Sequence, residues 1–155
     1  MHKFHPNAAQ RSASIRIRRR VDAANSPHHS AIPMKFHLST GTGNVFTGYG
    51  PGYVEINKVR HEANLVVFPD HLSSGWAAHG FAGLVVEDFT SLLEWQPEIV
   101  LLGTGAAIRF PHPRVYAGLT AARIGVDVMD VQAACRTFNV LASEGRRVAA
   151  ALIVR

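Results

Sequence analysis

The sequence predicts a single three-layer α/β domain with a mixed central β-sheet, an antiparallel hairpin early in the chain and a βαβαβ unit at its end. Three observations carry this. The last third alternates short apolar runs with segments of helical period, "EIVLLG", "PRVYAGLTAARIG", "VDVM", "VQAACRTFNVLAS" and "RVAAALIV". Strand, helix, strand, helix, strand in that order implies parallel pairing through right-handed crossovers. The stretch "YVEINKVRH" (53–61) instead alternates in and out around Asn57-Lys58, the pattern of a hairpin.

Each element has its own local grounds. "TGTGN" (40–44) is a turn by composition. "NLVVFPD" (64–70) is a buried strand stopped by Pro69, and residues 71–86 carry no clear period. In "EDFTSLLEWQP" (87–97), Phe89, Leu92 and Leu93 fall on one side of a short helix, which Pro97 ends. The helix predicted over 113–125 has Pro113 at its start and Gly125 after its end, with Val115, Leu119 and Ala122 on one face. Asp130 is a good N-cap for a helix over 131–143, with Gly145 just beyond it. Val131, Ala134, Cys135, Phe138, Leu141 and Ala142 form a complete core-facing stripe on that helix. Cys135 is therefore read as a packed thiol, since a nucleophilic one needs an exposed, electropositive setting.

Composition bounds the function. The chain has 155 residues, 47% of them apolar, which suffices for one domain with its own core. One cysteine excludes an internal disulfide. The longest apolar run, Val148 to Val154, is too short to cross a bilayer. The net charge of +5 comes from residues 1–33, which hold six Lys or Arg and one acid; the other 122 residues hold ten of each sign. A neutral body with no basic stripe argues against a nucleic-acid-binding domain. Residues 1–33 are read as a disordered basic tail ahead of a domain over 34–155. The alternatives for that tail are an organelle-targeting presequence and a basic arm for anionic surfaces. Location follows the same division: cytoplasmic in a bacterium, mitochondrial in a eukaryote if the tail is a presequence.

"IVLLGTGAA" (99–107) imitates a dinucleotide-binding turn. The G-x-G-x-x-G pattern fails at its third glycine, because Ile108 stands there and cannot allow the close helix–strand packing that position serves. The next helix in the chain starts no earlier than Pro113, too late to place its N-terminus on a pyrophosphate. Gly103-Thr104-Gly105 is accordingly read as a structural turn. No cofactor is expected. No spaced Cys/His set supports a metal, and no G-x-S-x-G elbow is present. A polar stripe remains on the last helix: Gln132, Arg136, Asn139 and Ser143. It reads either as a solvated face or as a small recognition surface. A ligand site, if one exists, would comprise Gly103, Thr104, Gly105, Asp130, Arg136, Asn139 and Arg147.

"PEIVLLGTG" followed by "GVDVMDVQAACRTFNVLASEGRRVAAALI" resembles a small α/β domain family of largely unknown function. It includes the adipogenesis-associated domain protein and a mitochondrial assembly factor for respiratory complex I. The resemblance spans about 34–155 and is most specific over 97–153. It implies the three-layer fold, with no known reaction or cofactor. Two positions depart from the family: Val131 replaces its usual Thr and Phe138 its usual Tyr, both losing a hydroxyl. The resulting expectation is a non-enzymatic accessory or assembly-type protein that works through protein partners, with respiratory complex subunits and a second copy of itself as candidates. A small-molecule or anion-binding protein using the Gly-Thr-Gly turn and the Arg/Asn face is the alternative.

Overall fold

A computed structural model describes residues 43–155; the expectations for residues 1–33 and for the turn at 40–42 lie outside these. A five-stranded mixed sheet forms the middle layer, in the order β5-β4-β8-β6-β7. Its strands are β4 (Leu65–Val67), β5 (Leu72–Ser74), β6 (Ile99–Gly103), β7 (Gly125–Met129) and β8 (Val148–Leu152). β6 pairs parallel with both β7 and β8, while β4 pairs antiparallel with β5 and β8. β8 is therefore the central strand, and all five of its residues are buried.

The expected hairpin is part of a separate three-stranded antiparallel sheet: β1 (Phe46–Gly50), β2 (Tyr53–Ile56) and β3 (Val59–His61). Asn57 and Lys58, with φ of 50° and 73°, make the two-residue turn between β2 and β3. Two successive positive φ values are the mark of a type I′ turn, whose twist suits a right-twisted ladder.

The alternation along β8 sorts the core. Val148, Ala150 and Leu152 face one side, where helix α3 (Val131–Ser143) and the small sheet cover them. Ala149, Ala151 and Ile153 face the other, beneath α1 (Val86–Thr90), α2 (Ala117–Ala121) and the 3₁₀ turns around them. The two faces are complementary because a strand's side chains alternate, so one apolar run serves two cores. Val131, Ala134, Cys135 and Phe138 are buried as the stripe predicts, with Leu141 and Ala142 packed at its margin. Phe138 meets Phe46 of β1 edge-to-face at 5.3 Å. Burial pushes the Cys135 thiol up to about 12, the state of an inert packed side chain.

Two helices are shorter than the pattern indicates. Over 87–97 the chain makes one α-turn, Val86–Thr90, then a 3₁₀ segment, Ser91–Trp95, ended by the left-handed Gln96. Over 113–125 it makes a 3₁₀ segment, Pro113–Tyr116, and the five-residue α2. The left-handed residue that ends this helix is Arg123, with φ 66°, and Gly125 already belongs to β7. The chain must rejoin the sheet early, so Ile124 takes the buried place expected of Ala122, which is exposed.

Candidate functional site

The Gly-Thr-Gly corner is built from the end of β6. Gly103 lies where a methyl group would come within 2.8 Å of Leu152 Cδ2 and 3.2 Å of the Ala134 Cβ and Val131 Cα atoms. The missing side chain is what lets α3 lie close on the sheet. Thr104 is wholly buried. Its N–H donates to the Met129 carbonyl at 2.9 Å, and its hydroxyl donates to the Ala107 carbonyl at 3.0 Å and accepts the Arg109 N–H at 2.8 Å. Its hydroxyl thus closes the 104–109 loop upon itself, while its N–H ties the corner to β7. Gly105 turns the chain with φ of 100°. Its carbonyl accepts the Val131 N–H at 2.9 Å, which docks the first turn of α3 onto the corner.

That contact corrects one expectation. Judged along the chain, the corner precedes its next helix by several residues; in space it touches the start of α3. The position is already taken by a carboxylate. Asp130 Oδ1 accepts the Ala133 N–H at 2.8 Å, the Asp130 carbonyl accepts the Ala134 N–H at 3.0 Å, and the negative side chain complements the helix dipole. A phosphate brought there would meet Asp130 first. Beside the corner runs a groove of about 250 Å³ bounded by Gly50, Gly52 and Tyr53 of the β1–β2 turn, by Gly105 and Ala106, and by Val131 and Gln132 of α3.

The remaining residues proposed from sequence do not gather at this corner. Asn139 is half-buried and is neither solvated nor free: its Oδ1 accepts the Phe46 N–H and its Nδ2 donates to the Phe46 carbonyl, both at 2.9 Å. It pins β1 to α3. Arg136 is exposed and donates to the Tyr49 hydroxyl at 3.2 Å, a second link to β1. Arg147 lies at the opposite end of the sheet. The register sets Gly103 beside Leu152 and Met129 but Ile99 beside Val148, so Arg147 is a strand's length away, roughly 13 Å. Its guanidinium donates to the carbonyls of Trp95 and Gln96, and its N–H donates to Glu98 Oε2 at 3.1 Å. That hydrogen bond and the Arg146 guanidinium hold the Glu98 carboxyl below the usual carboxylate range.

Sequence reasoning missed the polar features that flank the 64–70 strand and run on into 71–80, where there is no clear period. His71 packs against two rings that also touch each other, stacked on Phe68 at 4.5 Å and tilted against Trp95 at 4.0 Å. Its Nδ1 donates to Asp70 Oδ1 at 2.9 Å, which lowers the Asp70 carboxyl, and its buried Nε2 has no partner among the described residues. Asn64 ties the 75–80 loop to the end of the central strand, donating to the Ala77 carbonyl at 2.9 Å and accepting the Val154 N–H at 2.8 Å. A shallow depression of about 590 Å³ opens beside it, edged by Glu62, Trp76, His79 and Arg155. Among the described residues no three His, Cys, Asp or Glu side chains converge as metal ligands would, and no helix is long and apolar enough to cross a membrane.

Residues 46–153 match the family described as protein of unknown function (DUF498/DUF598). The chain belongs to this family. Among curated DUF498 relatives, the zebrafish (Danio rerio) NADH dehydrogenase [ubiquinone] 1 alpha subcomplex assembly factor 3 is 37% identical over 72% of this chain and 64% of its own length. The chain thus spans a little under two thirds of that relative. An uncharacterised protein of Rhodobacter capsulatus is 34% identical over 68% of this chain and 81% of its own. A crystal structure from Bordetella parapertussis is 36% identical, superposes with a TM-score of 0.68, and is matched over 72% of this chain and 96% of that one. Val131 and Phe138, the two positions at which the resemblance implies a hydroxyl in relatives, are both buried in this chain.

Proposed function

We propose that this DUF498 chain is a non-enzymatic accessory protein of the assembly type, acting by binding other polypeptides, with respiratory complex I subunits as the client class that the resemblance to assembly factor 3 indicates. One observation carries the reading. The polar residues singled out from the sequence spend their groups on the fold: Thr104 on its own loop, Asp130 on its own helix, Asn139 on β1 and Arg147 on the Trp95–Glu98 turn. Chemistry needs groups left over for a substrate, and these have few left. Affinity-tagged chain at near-native expression is expected to bring down subunits of a membrane-bound NADH dehydrogenase. Recovery of the tagged chain alone would overturn the reading.

The groove beside Gly105 supports a second reading, in which a small ligand with a carboxylate or amide seats between Gln132 and the β1–β2 turn. Thermal denaturation with NAD, inorganic phosphate and short dicarboxylates separates the two. A ligand at about 100 times its dissociation constant stabilises by roughly 2.7 kcal/mol. Arg136→Ala removes the shift if the Arg/Asn face takes part, and leaves it unchanged if the groove acts alone.

A further inference from the structure

Between strands β4 and β5 and the 3₁₀ segment Ser91–Trp95 lies a cavity of about 260 Å³ that the corner described above does not use. The buried part of its lining is apolar: Val66, Phe68, Trp76 and Leu92. The exposed part holds Glu94, Trp95 and two serines. The Trp76 ring is fixed by its own Nε1–H, which donates to the Asp88 carbonyl at 2.7 Å. The Trp95 ring packs on Phe68 at 5.8 Å and on His71 at 4.0 Å, and stays 43% exposed. A cavity whose walls are set before contact loses little freedom on binding. Its volume lies below the roughly 300–1,000 Å³ of pockets for drug-sized ligands, so its occupant is small, on the scale of one side chain.

Charge decides what the cavity takes. Glu94 is the one charged residue in the lining, and it takes part in no ion pair among the described residues. The other titratable residues within two places of the lining along the chain are Asp70 and His71, which bond each other. The Arg147 guanidinium bears on the Trp95 and Gln96 carbonyls and does not line the cavity. An anion would therefore meet an acid and no base. A cation on an apolar stem is served twice, by the carboxylate and by the negative face of an indole. We infer that this cavity binds an alkylammonium, with the stem against Val66, Phe68 and Leu92 and the ammonium at the mouth beside Glu94 and Trp95. This is the chemistry of a lysine side chain, a flexible stem ending in a compact charge, and equally of a free aliphatic amine. The inference stands whether or not the chain is an assembly protein.

Tryptophan fluorescence of the full chain tests it, because both tryptophans of the sequence line the cavity. At constant ionic strength n-butylammonium should change the emission saturably. Its half-saturating concentration should be about five-fold below that of neutral n-butanol, with butyrate the weakest of the three. Glu94→Gln should weaken butylammonium about three-fold and leave butanol unchanged. Glu94→Lys should reverse the order of butylammonium and butyrate. Both variants should melt within a degree or two of the parent, since Glu94 is exposed and unpaired among the described residues. Nα-acetyl-lysine amide separates the two sources: binding at least as tight as that of butylammonium gives the cavity to a lysine of a polypeptide, and weaker binding gives it to a free amine. Butanol binding as well as butylammonium, a response to butylammonium that never saturates, or a Glu94→Gln chain that keeps the full preference would each overturn the inference.

Discussion

Gly103 and Thr104 show how a motif can be fully employed without a ligand. Gly103→Ala introduces a methyl group 2.8 Å from Leu152 and against α3, an overpacking expected to cost about 1–3 kcal/mol in urea denaturation. Thr104→Val keeps the shape but removes the hydroxyl's two hydrogen bonds, to the Arg109 N–H and the Ala107 carbonyl, for a loss of about 1–3 kcal/mol at roughly 0.5–1.5 kcal/mol each. Phe138→Ala should cost about 3–5 kcal/mol, since Phe138 is fully buried against Phe46. Cys135 gives a test by pH. Its thiol is raised in the folded chain from an ordinary value of 9.0 to about 12, so its contribution is complete below 9 and is lost as the pH rises toward 12. Stability should fall over that window, and Cys135→Ala, though weaker overall, should show the shallower slope. The sequence made Cys135 and Phe138 legible because a helix stripe is a periodic signal. It could not show that Gly103 is a packing glycine, because the atoms it makes room for come from residues 131–152.

At the scale of elements, the turns test most directly. Lys58 holds a left-handed φ of 73° that glycine adopts without strain. Lys58→Gly completes an Asn-Gly type I′ turn and should stabilise the chain by about 0.5–1 kcal/mol, read as a rise in melting temperature. The small sheet depends on Asn139, which satisfies both backbone groups of Phe46. Asn139→Leu leaves them unpaired and should speed amide exchange in β1 well before it does so in β8. Asn139 stood in the polar stripe of α3, and the spacing placed it correctly on that face. What the spacing could not reveal is that a second sheet folds over part of the face, so that Asn139 works as a clasp and Arg136 reaches a tyrosine. The end of α2 was misjudged for a related reason: Gly125 looks like a helix stop, but the parallel register with Ile99 draws it into β7 and leaves Arg123 to make the turn.

For the molecule as a whole, the layered α/β architecture was legible because β6, β8 and α3 are long and strongly patterned. The region 71–86 was opaque because β5 has three residues and the segments after it are single turns. Proximity was the larger blind spot. The Gly-Thr-Gly corner lies against a helix start that is 26 residues away along the chain, from Gly105 to Val131. The Asp130 carboxylate at that start supports the expectation that millimolar NAD or FAD leaves the melting curve unmoved. A saturable rise would return the corner to cofactor chemistry.

The place of β8 has a further consequence. Val148–Leu152 is made after every other strand, yet it separates β4–β5 from β6–β7, which share no direct pairing. Until Val148–Leu152 has been made, β4–β5 and β6–β7 lack the strand that joins them. The two strand pairs can be joined only after Val148–Leu152 has emerged, so a premature stop codon just before Val148 would leave two half-sheets for the cell's chaperones and proteases.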